Sequence, residues 1–366
     1  MDPEQFYRWM DKLLRQFPKL GKWQVLGLTL FSLGVVLAEH CQLTRVAEHL
    51  SMWGKPDSVE RRLQRWLSNK RWDMQTWSAD WVRWVWQKYG QERRIVLVDE
   101  TKLSDHLGVM MVGLAYQGRC IPLLWRCYVA NSQADYPSEG QVGIIMGLLN
   151  QLKTALPADA KIFVQADRGI GNSNRLMRQI EQGGMWFMFR VKQRSVFRTR
   201  RNAKYAQPLS TLIKPGETWS GRGWIFKASK MLPVQVHLAW KTGQSEPWCL
   251  VTNAPNLTAQ VYALRMWQEE GFRDLKSFGW RWDTSHVWQP EHAHRLLLVL
   301  ALAYAWVISQ EVLLRQSPTA VQRLVERGTR PRFSVFRRAL RYIRQALELH
   351  LPLLFDLRFI PSFAYV

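Results

Sequence analysis

Apolar residues recur at helical spacing through Phe6–Phe17, Trp23–Ala38 and Thr44–Met52, which predicts a helical region from residue 1 to about 90. Within it, LTRVAEHLSMWGKPDSVERRLQRWLSN (residues 43–69) reads as helix, Gly-Lys-Pro turn, helix. Asp57 or Ser58 is placed to cap the second helix. From residue 94 the period shortens. RRIVLVDETKL is a β-branched strand ending at Asp99, and VMMVGLAYQGRCIPLLWRCYVA reads as two strands joined around Gln117-Gly118-Arg119. A helix over Gln141–Ala155, a strand over Lys161–Ala166 that stops at Asp167, a helix over Asn172–Gly183 and the strand MWFMFRVK complete a mixed α/β core.

Residues about 193–255 break that rhythm. GWIFKASKM, PVQVHLAWK and PWCLVTNAP are β-like, separated by turn residues, and read as a β-rich insertion. Helical patterning resumes over Thr258–Ser277, then over Glu291–Arg315, which is apolar through its middle and predicts a buried helix. A basic helix over Arg332–Leu349 closes the pattern.

Charge narrows the function. The 366 residues carry a formal net charge of +22, which points to a polyanionic partner, nucleic acid before a membrane surface. The longest apolar runs, Val25–Ala38 and Leu296–Ile308, fall short of the ~20 residues of a spanning helix. The N-terminal MDPEQFYRWMDK lacks the pattern of a signal peptide. Cys41, Cys120, Cys127 and Cys249 form no CxxC pair and read as buried thiols of a reduced, cytoplasmic protein. Most of the 20 tryptophans read as packing, with a few free to stack on bases. The helix over residues 57–69 carries Arg61, Arg62 and Arg65, as either a helix-turn-helix-like DNA-binding unit or an ordinary basic surface helix. The basic runs 198–204 and 327–344 read as DNA-facing surfaces.

Three acids stand out by position. Asp99 and Asp167 follow apolar strands, where ligand groups gather in an open sheet. Glu269 lies in YALRMWQEEGFRDLK (residues 262–276). At 100° per residue, Tyr262, Arg265, Glu269 and Lys276 fall within roughly 60° of one another, with Arg273 at the edge of the stripe. Two aspartates and a glutamate without His or Cys partners suit Mg²⁺, or Mn²⁺ in its place, and the cations beside them suit DNA phosphates. A zinc site is weakly supported: HVWQPEHAHR holds His286, His292 and His294, with Glu291 as the only acid at ligand spacing. No phosphate-binding loop motif occurs.

The spacing Tyr262-x2-Arg265-x3-Glu269-x6-Lys276 resembles the YREK signature of the insertion-sequence-four family of bacterial DDE transposases. DET at Asp99 and QADRGIGN at 165–172 resemble the segments carrying that family's first two acids. The resemblance spans about residues 94–310. It implies an α/β ribonuclease-H-like catalytic core with a β-rich insertion, beside an α-helical N-terminal DNA-binding domain and a helical C-terminal region. The expected bounds are 1–90 for the N-terminal domain, 91–192 and 258–315 for the two parts of the core, 193–257 for the insertion and 316–366 for the basic C-terminal region. The resemblance further implies Asp99, Asp167 and Glu269 as catalytic metal ligands, and Tyr262, Arg265 and Lys276 on phosphates near a transposon end. It also implies a tryptophan of the insertion, Trp240 or Trp248, under a flipped base. The expected partners are terminal inverted repeats and target double-stranded DNA, bound by a homodimer, with cut-and-paste chemistry through a hairpin. A ribonuclease-H-class nuclease without strand transfer and a non-catalytic DNA-binding regulator remain open alternatives.

Overall fold

Five helices open the chain: α1 (Pro3–Gln16), α2 (Lys22–Ala38), α3 (Leu43–Glu48), α4 (Pro56–Ser68) and α5 (Met74–Tyr89). The computed structural model describes residues 3–72, 74–90, 94–254, 257–328 and 332–360. The boundary expected at residue 91, the last residue of PWCLVTNAP and residues 329–331 of the second basic run lie outside them.

Each early helix buries an apolar face, or in α2 most of the stretch from Val25 to Val36, and that decides how they pack. α1 turns Phe6, Trp9, Met10 and Leu13 inward at i, i+3, i+4, i+7 spacing. α4 buries Val59, Leu63, Trp66 and Leu67 and leaves Arg61, Arg62 and Arg65 exposed. Gly27 of α2 is what lets α4 approach: a Cβ there would lie 2.1 Å from the Trp66 indole. That indole donates to the Gln24 carbonyl at 3.0 Å. The expected cap is corrected. Lys55 is the N-cap without a side-chain bond, Pro56 fills the first position, and Asp57 sits in the first turn, where its charge favours the helix dipole.

The sheet begins with a meander of β1 (Arg94–Leu103), β2 (Leu107–Tyr116) and β3 (Arg119–Val129). Gln117 (φ 42°) and Gly118 (φ 79°) both take positive φ, as a two-residue primed hairpin turn requires. α6 (Gly140–Ala155) leads to β4 (Ile162–Ala166), parallel to β1. α7 (Arg168–Gly171) and α8 (Asn174–Gln182) lead to β5 (Trp186–Arg190), parallel to β4. The order β3-β2-β1-β4-β5 is consistent with the ribonuclease-H-like core expected above. The insertion contributes β6 (Val196–Arg198), β7 (Gln207–Pro208), β8 (Thr218–Ile225), β9 (Leu232–Ala239) and β10 (Trp248–Thr252). Its strands do not form a separate layer. β10 pairs antiparallel with β5, so one ten-stranded sheet runs through core and insertion among the described residues.

The sequence pattern placed the end of the first strand at Asp99. β1 instead continues to Leu103, because β2 pairs with its outer half while β4 pairs only with its inner half. The helix expected over 258–277 is also not uniform: Ala259–Arg265 is a 3-10 turn, and α9 (Met266–Leu275) follows.

α10 (Pro290–Ser309) and α11 (Glu311–Gln316) come next, then α12 (Thr319–Val325) and α13 (Val335–Glu348). α10 packs on β3, α2, α4, and α13, and Trp306 meets Trp9 at 5.7 Å between ring centres. The helical N-terminal region therefore shares one hydrophobic core with the sheet. One expectation is overturned here. Pro290–Gln316, 27 residues, is long and apolar enough to cross a membrane, but 94% of its apolar window is buried inside the structure. The four cysteines are free and buried, and Trp9, Trp77, Trp81, Trp84, Trp280, Trp282 and Trp306 are core side chains.

Candidate active site

The register of β1 on β4 brings the first two acids together. Val98 pairs with Ala166, so Asp99 and Asp167 are the next residues on adjacent parallel strands, which lie about 4.8 Å apart. Beyond this point the chains diverge: β1 goes on with β2, while Asp167 turns outward and caps α7 by accepting from the Ile170 N–H at 3.0 Å. Successive strand residues face opposite sides of a sheet. Glu100 accordingly accepts from Tyr128 on β3 and Gln141 on α6, while Asp99 faces the Arg265–α9 segment.

Arg265 gathers the three acids. Its Nη2 lies 2.9 Å from Asp99 Oδ2 and 3.8 Å from Asp167 Oδ2, and its Nη1 donates to Glu269 Oε1. Exposure rises across the cluster, from 11% for the Arg265 side chain and 14% for Asp99 to 37% for Asp167 and 47% for Glu269, so the cluster opens to solvent on the Glu269 side. Burial pushes the Asp99 carboxyl up to about 6, against the pull of Arg265 and of its own bond from the Glu100 N–H.

Tyr262, Arg265, Glu269 and Lys276 converge on this edge, though not by lying on one α-helix. The Tyr262 hydroxyl donates to the carbonyl of Ala166, the last residue of β4, at 3.3 Å. It is buried, and burial pushes the phenol up, so it stays neutral. Lys276 Nζ donates to Thr101 Oγ1 and to the Lys102 carbonyl at 2.8 Å, clamping the end of α9 to β1. Burial lowers the Lys276 ammonium, while Asp283 and Asp99 oppose that shift. Arg273 does not join the stripe. It pairs with Glu270 at 2.8 Å and stacks over Phe278, leaving Arg265 as the cation on Glu269.

A cavity of about 520 Å³ opens beside Asp167 and Glu269. Trp248 and Tyr262 line it, 5.6 Å apart and edge to face. Trp240 is elsewhere: it follows β9, and its indole donates to the Gln244 carbonyl. The cavity also takes Arg168 and Arg190. Sequence reading missed both; Glu246 holds each at 2.7 Å. The available signals were Arg168 directly after Asp167 and Arg190 at the end of an apolar strand.

Arg61 and Arg65 do not line the cavity beside the acids but a separate groove with His286 and His292, while Arg62 is exposed but outside that lining. His294 is buried against Trp77 and Trp125, and burial lowers it to about 3. Among the described residues no group of three His, Cys, Asp or Glu side chains stands close enough to hold a metal as placed. The donor chemistry of Asp99, Asp167 and Glu269 nevertheless fits a hard divalent cation: three carboxylates face one cationic centre, and that centre is now the Arg265 guanidinium.

No curated protein matches the chain. Residues 140–306 match the family model of the transposase DDE domain. The matched span takes in β4, β5, the whole insertion and the stripe from Tyr262 to Lys276, but starts after Asp99, whose place in the site rests on the β1–β4 register and on Arg265. Asp167 and Glu269 lie inside that span, so the part of the chain that holds two of the three acids is similar to a transposase DDE domain.

Proposed function

We propose that the protein is a cut-and-paste transposase of the insertion-sequence-four type, acting in the cytoplasm on the nucleoid as a homodimer on paired element ends. Its substrates are double-stranded DNA bearing terminal inverted repeats and the target DNA. The observation that carries this reading is the convergence of Asp99, Asp167 and Glu269 on one cationic centre at the β1–β4 edge.

In this reading Asp99, Asp167 and Glu269 hold Mg²⁺, with Mn²⁺ as substitute. When bound, the metal supplies an activated water or 3′-hydroxyl and neutralises charge on the leaving oxygen. Arg265 keeps the three carboxylates together beforehand and turns to a DNA phosphate when they take up metal. Lys276, fixed on Thr101, keeps the end of α9 and hence Glu269 in register with Asp99. Trp248 offers a ring beside the acids for a base turned out of the duplex, and Arg168 and Arg190 offer two cations for its phosphates. Turning one nucleotide out relieves the tight bend that a hairpin intermediate imposes on the strand.

The test is cleavage of DNA carrying the repeats that flank the gene, in Mg²⁺ and in EDTA, read on denaturing gels. Nicks at the repeat boundary, a hairpin and joined products are expected from the wild type. Glu269→Gln should bind DNA and cut at least 10³-fold more slowly. Nicking without joined products would reduce the function to a nuclease, and cutting by Glu269→Gln would remove Glu269 from the site.

A further inference from the structure

A second concave surface lies on the seam between α4 and the chain that follows the YREK stripe. It is a groove of about 940 Å³. One wall is the exposed face of α4, with Arg61, Gln64 and Arg65; the other is the segment entering α10, with His286, Trp288 and His292. None of the lining residues is acidic. Among the described residues neither Arg61 nor Arg65 has a carboxylate partner, and the Arg65 Nε bonds only the Arg61 carbonyl. This contrasts with the arginines of the acid cluster, each held by a carboxylate of the chain itself.

The two walls are fixed to one another. Arg295, in the second turn of α10, donates from Nη1 to the Leu67 carbonyl near the end of α4 at 2.6 Å, in the interior. His286 takes a left-handed backbone (φ 59°), a conformation histidine tolerates better than most residues. The Trp288 ring stands 6.1 Å from His286 and 5.6 Å from His106, which lies in the turn after β1. The groove is therefore preformed, and strand β1 connects it to the acids. From Asp99 to the end of β1 at Leu103 is about 13 Å at 3.3 Å per residue. Lys276 lies on that path, bonded to Thr101 and Lys102.

A preformed, acid-free groove with two unpaired guanidiniums, imidazole and amide donors and one indole suits a sugar-phosphate backbone. The ~13 Å along β1 from Asp99 toward the groove corresponds to roughly four base pairs at 3.4 Å each. We propose that this groove seats the backbone of duplex DNA a few base pairs inward of the phosphate at the acid cluster, with Arg61 and Arg65 on successive phosphates and Trp288 and the imidazoles against the sugars between them. The proposal rests on the transposase reading for what lies at the acid cluster. It departs from the sequence expectation for α4. The helix does not stand free as a recognition element; it is half of a composite wall, whose other half comes from the catalytic side, and Arg62 is outside it.

The experiment is fluorescence anisotropy of the full chain with a fluorescein-labelled duplex of mixed sequence over a salt series. Arg61→Ala/Arg65→Ala should weaken binding roughly tenfold or more and reduce the log–log salt slope by about 2, at 0.9 per phosphate lost. Arg62→Ala is the control on the same helix and should leave the slope within about half a unit. Trp288→Ala should weaken binding severalfold at unchanged slope, and Trp288→Phe should restore most of it. His286→Asn keeps the left-handed turn and should weaken binding without altering the melting temperature. Unchanged binding and slope in Arg61→Ala/Arg65→Ala, an equal effect from Arg62→Ala, or tighter binding to phosphatidylserine vesicles than to the duplex would each overturn the proposal. The same proteins are run in the Mg²⁺ cleavage assay. Groove-dependent binding without any cutting leaves the groove standing and removes the transposase reading; cutting with groove-independent binding does the reverse.

Discussion

The acid cluster and the α4 groove concentrate charge in opposite ways. In the cluster every charge has a partner in the chain: Arg265 touches Asp99, Asp167 and Glu269, and Arg168 and Arg190 share Glu246. In the groove, neither Arg61 nor Arg65 has a carboxylate partner among the described residues. The difference follows from burial. A mostly buried guanidinium without a counter-charge costs several kcal/mol, so the arginines at the sheet edge are stable only beside carboxylates. Exposed arginines on α4 carry no such cost and stay available to an external polyanion. A paired set can exchange one cation for another; an unpaired set can only gain a partner.

Arg265→Ala breaks this contrast most severely. Removing the shared cation leaves three carboxylates facing each other, which should destabilise the protein by about 2–4 kcal/mol in EDTA. Millimolar Mn²⁺ should restore part of that loss, so the metal-induced rise in melting temperature should be larger for Arg265→Ala than for the wild type. Calorimetry or thermal shift reads this without cleavage. Equal metal-induced shifts in both proteins would show that the guanidinium does not stand in the cation's place.

The two tryptophans of the insertion sharpen the comparison within the cluster. Trp248 lines the cavity beside Asp167 and Glu269, whereas Trp240 bonds its own loop. Trp248→Ala should slow cleavage roughly 10–100-fold, the value of one base–aromatic stack, and Trp240→Ala should change it less than about threefold. The reverse order would place the base elsewhere.

Asp274 provides the smallest effect and tests how buried charge near α9 is carried. Burial pushes its carboxyl up to about 6, against the pull of Arg119 at 2.6 Å and of the Tyr304 hydroxyl at 3.0 Å. The folded value lies above the ordinary one, so the fold binds this proton more tightly than the unfolded chain does. Stability from this group is therefore fully present below about pH 4 and is lost as pH rises through about 6. Between pH 5 and pH 7 the loss is about 1 kcal/mol, and Asp274→Asn should show a denaturation midpoint less sensitive to pH by that amount. An unchanged pH dependence would mean that Arg119 holds the carboxylate ionised throughout.

How much of this was legible beforehand varied with the range of the cause. Alternation and helical spacing found α1, α2, α4 and the strands that lead to Asp99 and Asp167, since these depend on which face of a local element is apolar. They missed β6 and β7, two short strands whose pairing is not local: β6 pairs with β8, and β7 pairs with β6. They read Tyr262–Lys276 as one helix, although Ala259–Arg265 is wound as a 3-10 turn with Tyr262 bonded to the end of β4. The residues of the stripe meet for a reason the helical spacing did not contain: each touches β1, β4 or Arg265.

The sequence by itself determined that this is a basic chain with a mixed α/β core, two acids after apolar strands, a third in a helix-forming segment and a row of cations at fixed spacing. These are properties of side-chain chemistry and of apolar periodicity, and both are local. Only the tertiary structure decided that Asp99 and Asp167 are neighbours, that the insertion extends the same sheet, that Trp248 rather than Trp240 stands by the acids, and that α4 forms one wall of a groove. Each of these depends on strand register or on the contact of elements distant in the chain, and such pairings are set by the packing of the whole core.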